Sequence, residues 1–138
     1  MGLFADIVVL SRESIYTTNF MKYGFTPGMG ATCILPEKLG LSLAQEMLLT
    51  AANFRGAELQ QRGIPFAVLP RKDVVPHAMM LAQELADKPR IALVTLKEHL
   101  AFDIKSKLDS FIEREVAMHR QTIHEPEVKQ RIVQKFGR

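Results

Sequence analysis

Gly24-Phe25-Thr26-Pro27-Gly28-Met29-Gly30-Ala31-Thr32 is the stretch that decides the fold of this chain. Its glycine and proline content makes it a loop: Pro27-Gly28 is a turn signal, and Gly30 permits a close backbone approach. Phe20, Met21, Tyr23, Phe25 and Met29 surround it. They read either as core or as the lining of a pocket built around the glycines.

Upstream, Asp6 to Leu10 is a β-branched run apolar on both faces, the pattern of a strand covered on two sides in a mainly parallel sheet. Its strand partners are Ser14 to Asn19 and Phe66 to Leu69. Three short strands make a thin sheet, so the chain reads as opening in the middle of a fold. Downstream the pattern turns helical. Ser42 with Gln45 predicts a capping box opening a helix over Leu43 to Thr50, and Gly56 to Arg62 predicts a short helix stopped by Gly63. Asp73 is the expected cap of Val74 to Ala86, with Pro76 tolerated in the first turn. From Pro89 to His124 the sequence reads as one or two helices. Ile104, Leu108, Ile112, Glu115 and His119 share a stripe there, beside Phe111. Pro126 starts a last helix through Phe136.

Composition excludes several classes. The chain has 138 residues, a net charge of +3 and a single cysteine, Cys33. Lys and Arg alternate with Asp and Glu, which gives nucleic-acid binding no support. One cysteine forms no intramolecular disulfide, no secretion signal precedes the first strand, and no apolar run approaches the ~18 residues of a membrane span. A cytoplasmic protein that touches neither nucleic acid nor membrane is expected.

Spacing excludes familiar chemistries. Gly28-Met29-Gly30-Ala31-Thr32-Cys33 lacks the third glycine of a dinucleotide fingerprint, and neither a Gly-Lys-Ser/Thr phosphate loop nor a Gly-x-Ser-x-Gly elbow occurs. His119 and His124 fall on different helix faces, and His77 and His99 lie on separate segments, so no metal site is expected. His119, at the end of a mostly apolar stripe, reads either as a hydrogen-bonded structural group or as a catalyst facing a cavity. Lys129, Arg131, Lys135 and Arg138 form a basic chain end, read as a solvated helix terminus or as a docking patch for an acidic partner.

The loop from Gly24 to Thr32 resembles the Gly-x-x-Pro-Gly-x-Gly-(Gly/Ala)-Thr segment of the crotonase (enoyl-CoA hydratase/isomerase) superfamily. Met1-Gly2-Leu3-Phe4-Ala5-Asp6-Ile7-Val8 and the region from Leu48 to Pro65 agree with its flanks. The resemblance implies an α/β fold: the C-terminal portion of the crotonase ββα spiral over residues 1–88, then a C-terminal helical region over 89–138 that builds trimers in this superfamily. It also implies that the amides of the oxyanion hole belong to a preceding half of the fold, so that this chain is a C-terminal fragment and inactive alone.

Within the superfamily, hydratases carry a catalytic Glu at the position of Phe20, and Phe cannot activate water. The wording from Asn19 to Gly30, with Glu115-x-x-Met118-His119 and Glu127-Val128-Lys129-x-Arg131-Ile132, is similar to the branch that acts in polyketide β-branching. That branch implies decarboxylation of 3-methylglutaconyl to 3-methylcrotonyl groups on an acyl carrier protein. No cofactor is implied beyond the phosphopantetheine or CoA that carries the substrate. The expected catalytic residue is His119; the expected substrate-binding residues are Phe20, Tyr23, Phe25, Gly28 and Met29. Two rival readings are a hydratase or isomerase of general acyl-CoA metabolism and a non-catalytic assembly module. A homo-oligomer, a trimer or a dimer of trimers, is expected for the parent.

Overall fold

A computed structural model describes residues 2–137 of the chain. Strand β1 (Val9–Ser11) and strand β2 (Ile15–Tyr16) lead into the glycine loop, and helix α1 (Ala31–Leu39) leaves it. Gly30, at the start of α1, holds φ at 73°. A Cβ there would lie 2.8 Å from Phe4 Cζ and 3.1 Å from Leu108 Cδ1, so glycine is what lets two distant segments close over the turn. Gly40 (φ 79°) then folds α1 back onto helix α2 (Leu41–Thr50). Ile34 and Leu35 of α1 meet Leu43, Ala44 and Met47 of α2, together with Phe54 and Leu59, in the main core cluster. Each large side chain buried there contributes about 1.5–3 kcal/mol.

The capping box expected at Ser42 and Gln45 does not form. Helix α2 begins at Leu41 with Gly40 as its N-cap and no side-chain cap bond, which places Ser42 inside the first turn.

After strand β3 (Phe54–Arg55) come helix α3 (Gly56–Gln61) and strand β4 (Ala67–Leu69). Strand β4 pairs parallel with β1, with Val9 opposite Ala67, while β2 pairs antiparallel with β3. The mainly parallel sheet expected from Asp6 to Leu10 is therefore two separate pairs. Strand β1 starts three residues late, leaving Ile7 52% exposed. The ladder cannot extend upstream, because the partner strand is preceded by the Gly63-Ile64-Pro65 break and Pro65 has no amide proton. Strand β2 stops at Tyr16 for a different reason. The hydroxyls of Thr17 and Thr18 donate to the carbonyls of Ala51 (3.4 Å) and Met47 (2.6 Å), tying this segment to the end of α2.

Helices α4 (Arg71–Ala86), α5 (Arg90–Thr122) and α6 (Pro126–Phe136) complete the chain. The expected cap Asp73 lies inside the first turn of α4, which starts after Pro70. Glu13 takes the capping role from a distance: its carboxylate accepts the Arg71 amide at 2.9 Å. Its own backbone amide, then the Ser11 hydroxyl and the Arg71 amide, hold the Glu13 carboxyl below the usual carboxylate range. The stretch read as one or two helices is one helix of 33 residues, and Glu115 is its one buried side chain. Among the described residues no helix is long and apolar enough to cross a membrane.

Cys33 faces inward from α1 at 8% exposure. Burial, then the nearby Glu37 and Glu115 carboxylates, pushes its thiol above the ordinary value. Alkylation of native Cys33 is expected to run at least ~10-fold slower than in the denaturant-unfolded chain, because the thiolate is the reacting form. Equal rates in both states would contradict this placement.

Candidate active site

Helix α5 grips the glycine loop at successive turns. At its C-terminal end, the Thr122 hydroxyl accepts the Thr26 amide at 3.2 Å and lies 3.1 Å from the Thr26 hydroxyl. One turn earlier, His119 Nδ1 approaches the Thr26 carbonyl at 3.4 Å. The His119 ring meets Phe25 edge-on, with 5.4 Å between centroids and 79° between planes. One turn earlier again, Glu115 is 1% exposed. Its Oε2 accepts the Gly30 amide at 2.7 Å, and its Oε1 accepts the Thr32 amide at 2.7 Å and the Thr32 hydroxyl at 2.6 Å. A carboxylate at the first turn of α1 satisfies amides that a helix leaves unpaired and complements its dipole. The sequence placed Glu115 on the right face of α5 but carried no sign of these partners 83 and 85 residues away.

This clamp borders a cavity of about 350 Å³. Phe20, Gly28 and Met29 form its loop side; Ile112, Val116, His119 and Arg120 form its helix side, above the buried Glu115. A second hollow of about 230 Å³ lies across the same Phe20–Gly28–Met29 wall, reaching Leu3, Phe4 and Asn19. Met29 holds φ at 63°, unusual for a residue with a Cβ, and is 62% exposed beside both hollows. A third hollow, about 390 Å³ between β1, β2 and the core, offers Tyr16 as its one titratable side chain. That hydroxyl is already engaged by the Ser11 amide at 2.7 Å.

Four of the six residues singled out in the sequence, Phe20, Gly28, Met29 and His119, therefore meet around one cavity. Tyr23 and Phe25 lie outside its lining. Phe25 stands against the His119 ring, and Tyr23 stacks on Phe25 at 6.2 Å and reaches Phe136 of α6 at 5.6 Å. The helical turn Met21–Tyr23, ended by Gly24 at φ 89°, brings Tyr23 toward α6. Lys135 Nζ sits 5.2 Å from the Tyr23 ring centroid. Burial, then the like charges of Lys22 and Arg131, lowers the Lys135 ammonium below its usual value. Arg131 is paired with Glu127 at 2.5 Å, and Arg138 of the basic chain end lies outside the described residues.

The cavity is thus almost wholly apolar, with His119 and Arg120 at the end of its helix side. Such a site suits a substrate with an apolar body, and an imidazole at its edge can accept or donate a proton.

The enoyl-CoA hydratase/isomerase family model matches residues 1–136. Bacillaene synthase decarboxylase PksI of Bacillus subtilis is 63% identical over 137 residues, which are 99% of this chain and 55% of that protein. A solved structure from a dehydratase/decarboxylase enzyme couple involved in polyketide β-branching is 62% identical with a TM-score of 0.96, covering 99% of this chain and 56% of that one. The decarboxylase domain of CurF from Lyngbya majuscula is 53% identical with a TM-score of 0.95, covering 98% of this chain and 56% of that one. The chain spans about half the length of the relatives it matches. With its glycine loop, core helices and long clamping helix all inside the matched region, the chain belongs to the enoyl-CoA hydratase/isomerase family.

Proposed function

We propose that the whole protein is a decarboxylase of polyketide β-branching, converting a 3-methylglutaconyl to a 3-methylcrotonyl group held as a thioester on an acyl carrier protein. The observation that carries this reading is the cavity in which His119 faces an apolar wall of Phe20 and Met29, with no carboxylate at the Phe20 position. The similarity to PksI and to the CurF decarboxylase domain supports it.

In this reaction the bond between the carboxylate carbon and the γ-carbon breaks. Its electron pair passes through the alkene to the thioester oxygen, giving a dienolate and carbon dioxide, and a proton then joins the γ-carbon. The thioester is the electron sink, so no further cofactor is required. The apolar side chains of the Phe20–Met29 wall disfavour the solvated carboxylate. His119 orients that carboxylate and delivers the proton. The thioester oxyanion needs amide donors of its own, and the Gly30 and Thr32 amides are not free for it, being given to Glu115.

Exposed apolar residues on α4 and α5, among them Val75, Met79, Ile91, Leu100 and Phe102, leave a face for the rest of the whole protein or a second subunit to cover. Incubating the whole protein with the 3-methylglutaconyl carrier thioester is expected to release carbon dioxide, while crotonyl-CoA keeps its enone absorbance. Hydration of crotonyl-CoA without carbon dioxide release from the carrier thioester would overturn the assignment in favour of a hydratase.

A further inference from the structure

Glu115 is the most deeply buried charged side chain among the described residues, and the reaction proposed above has no direct use for it. We infer that Glu115 is a positioning residue: it locks the Gly28-Met29-Gly30 wall in register with His119 and keeps the α1 N-terminus closed to anions. The inference rests on the decarboxylase reading for its kinetic consequence, but not for its geometry.

The argument begins with spacing. Glu115 and His119 are one turn apart on the same face of α5, so a group fixed by one is fixed relative to the other. Glu115 holds Gly30 and Thr32 with three short bonds, whereas His119 has a single long contact to Thr26. The loop between Thr26 and Thr32 carries Gly28 and Met29, both in the cavity wall. Its position against the imidazole is thus set from two sides: by Thr122 at Thr26, and by Glu115 at Gly30 and Thr32. Thr122 contributes neutral bonds of 3.1 and 3.2 Å, so the charge-assisted bonds of Glu115 are the tighter half of the clamp.

The second consequence is electrostatic. Successive left-handed residues, Met29 at φ 63° and Gly30 at φ 73°, followed by a helix start, form a concavity of amides suited to an anion. The Glu115 carboxylate fills it. A substrate carboxylate entering the adjacent cavity finds those donors occupied and is left to His119.

Glu115→Gln keeps the size of the side chain but turns one acceptor into a donor facing an amide. In the whole protein this variant is expected to lose at least ~10-fold in kcat per folded molecule, with KM within about threefold, because misplacement of a reacting group slows the chemistry more than binding. A melting temperature that falls while kcat per folded molecule stays unchanged would reduce Glu115 to a structural role and overturn the inference. Nuclear magnetic resonance on this chain supplies a second arm. The His119 ring protons are expected to shift in Glu115→Gln along with the Gly30 and Thr32 amides, and an unmoved His119 signal beside displaced amides would overturn the coupling. If the glutamine variant does not fold, Thr32→Val removes one of the three bonds and is expected to produce the same shifts at smaller size; no shift at His119 would again overturn it. A wild-type protein that releases no carbon dioxide would refute the decarboxylase reading, while the resonance arm would still decide whether Glu115 positions the loop.

Discussion

His119→Ala in the whole protein is expected to lower decarboxylation by about 100-fold or more, the scale on which a positioned proton-transfer group acts. The fold should survive. His119 is half-buried, and its ring makes one contact at 3.4 Å and one aromatic edge contact. The loop it faces is held independently by Thr122 and Glu115. A thermal transition within about 4 °C of the wild type is therefore expected. Two different results would count against the account. Unchanged turnover would remove the imidazole from the chemistry, and unfolding would show that the ring is a structural brace whose loss says nothing about proton transfer.

The largest expected effect on stability comes from a site remote from the cavity, Gly56→Ala. A Cβ at Gly56 would lie 2.0 Å from the Ser11 carbonyl oxygen and 3.0 Å from Arg12 Cα. Both partners are backbone, and neither is free to retreat. The Gly56 amide donates to Ser14 at 3.0 Å and the Ala57 amide donates to Arg12 at 2.9 Å, while the Arg12 amide is held by Leu69 at 2.8 Å. Relief would require breaking the junction of β1, α3 and β4. We expect a loss of at least about 3 kcal/mol, a large part of the stability of an ordinary domain. Chemical denaturation that gives a midpoint close to wild type would show that the junction is looser than its hydrogen bonds indicate.

Much of this was legible in local sequence. The helix starting at Pro126 and ending at Phe136, the strand expected over Phe66 to Leu69 and found at Ala67–Leu69, and the turn at Gly63 followed from proline, glycine and β-branched patterns that act over a few residues. The stripe put His119 on the face of α5 that meets the glycine loop, and Phe20, Gly28 and Met29 line the same cavity as that ring. The failures have a common cause. Ser42 and Asp73 are good capping residues at plausible positions, but the helix starts were fixed elsewhere, by the Gly40 turn and by Glu13 arriving from 58 residues away. Glu115 read as an ordinary member of a helical stripe because its three donors are distant in sequence. Tyr23 and Phe25 were expected in the cavity because they flank the glycines; Phe25 instead packs edge-on against Phe20 and His119, with Tyr23 stacked behind it. Local periodicity gives the face of a helix. Which face receives a carboxylate or an aromatic ring is decided by long-range packing.

The most direct test of the central claim is a crystal structure of the whole protein with an unreactive analogue of the 3-methylglutaconyl carrier thioester. The account predicts the analogue's carboxylate within ~3 Å of the His119 imidazole, the reach of direct proton transfer, in the cavity bounded by Phe20 and Met29. A carboxylate seated instead among Leu3, Phe4 and Asn19, across that wall and away from the imidazole, would contradict it.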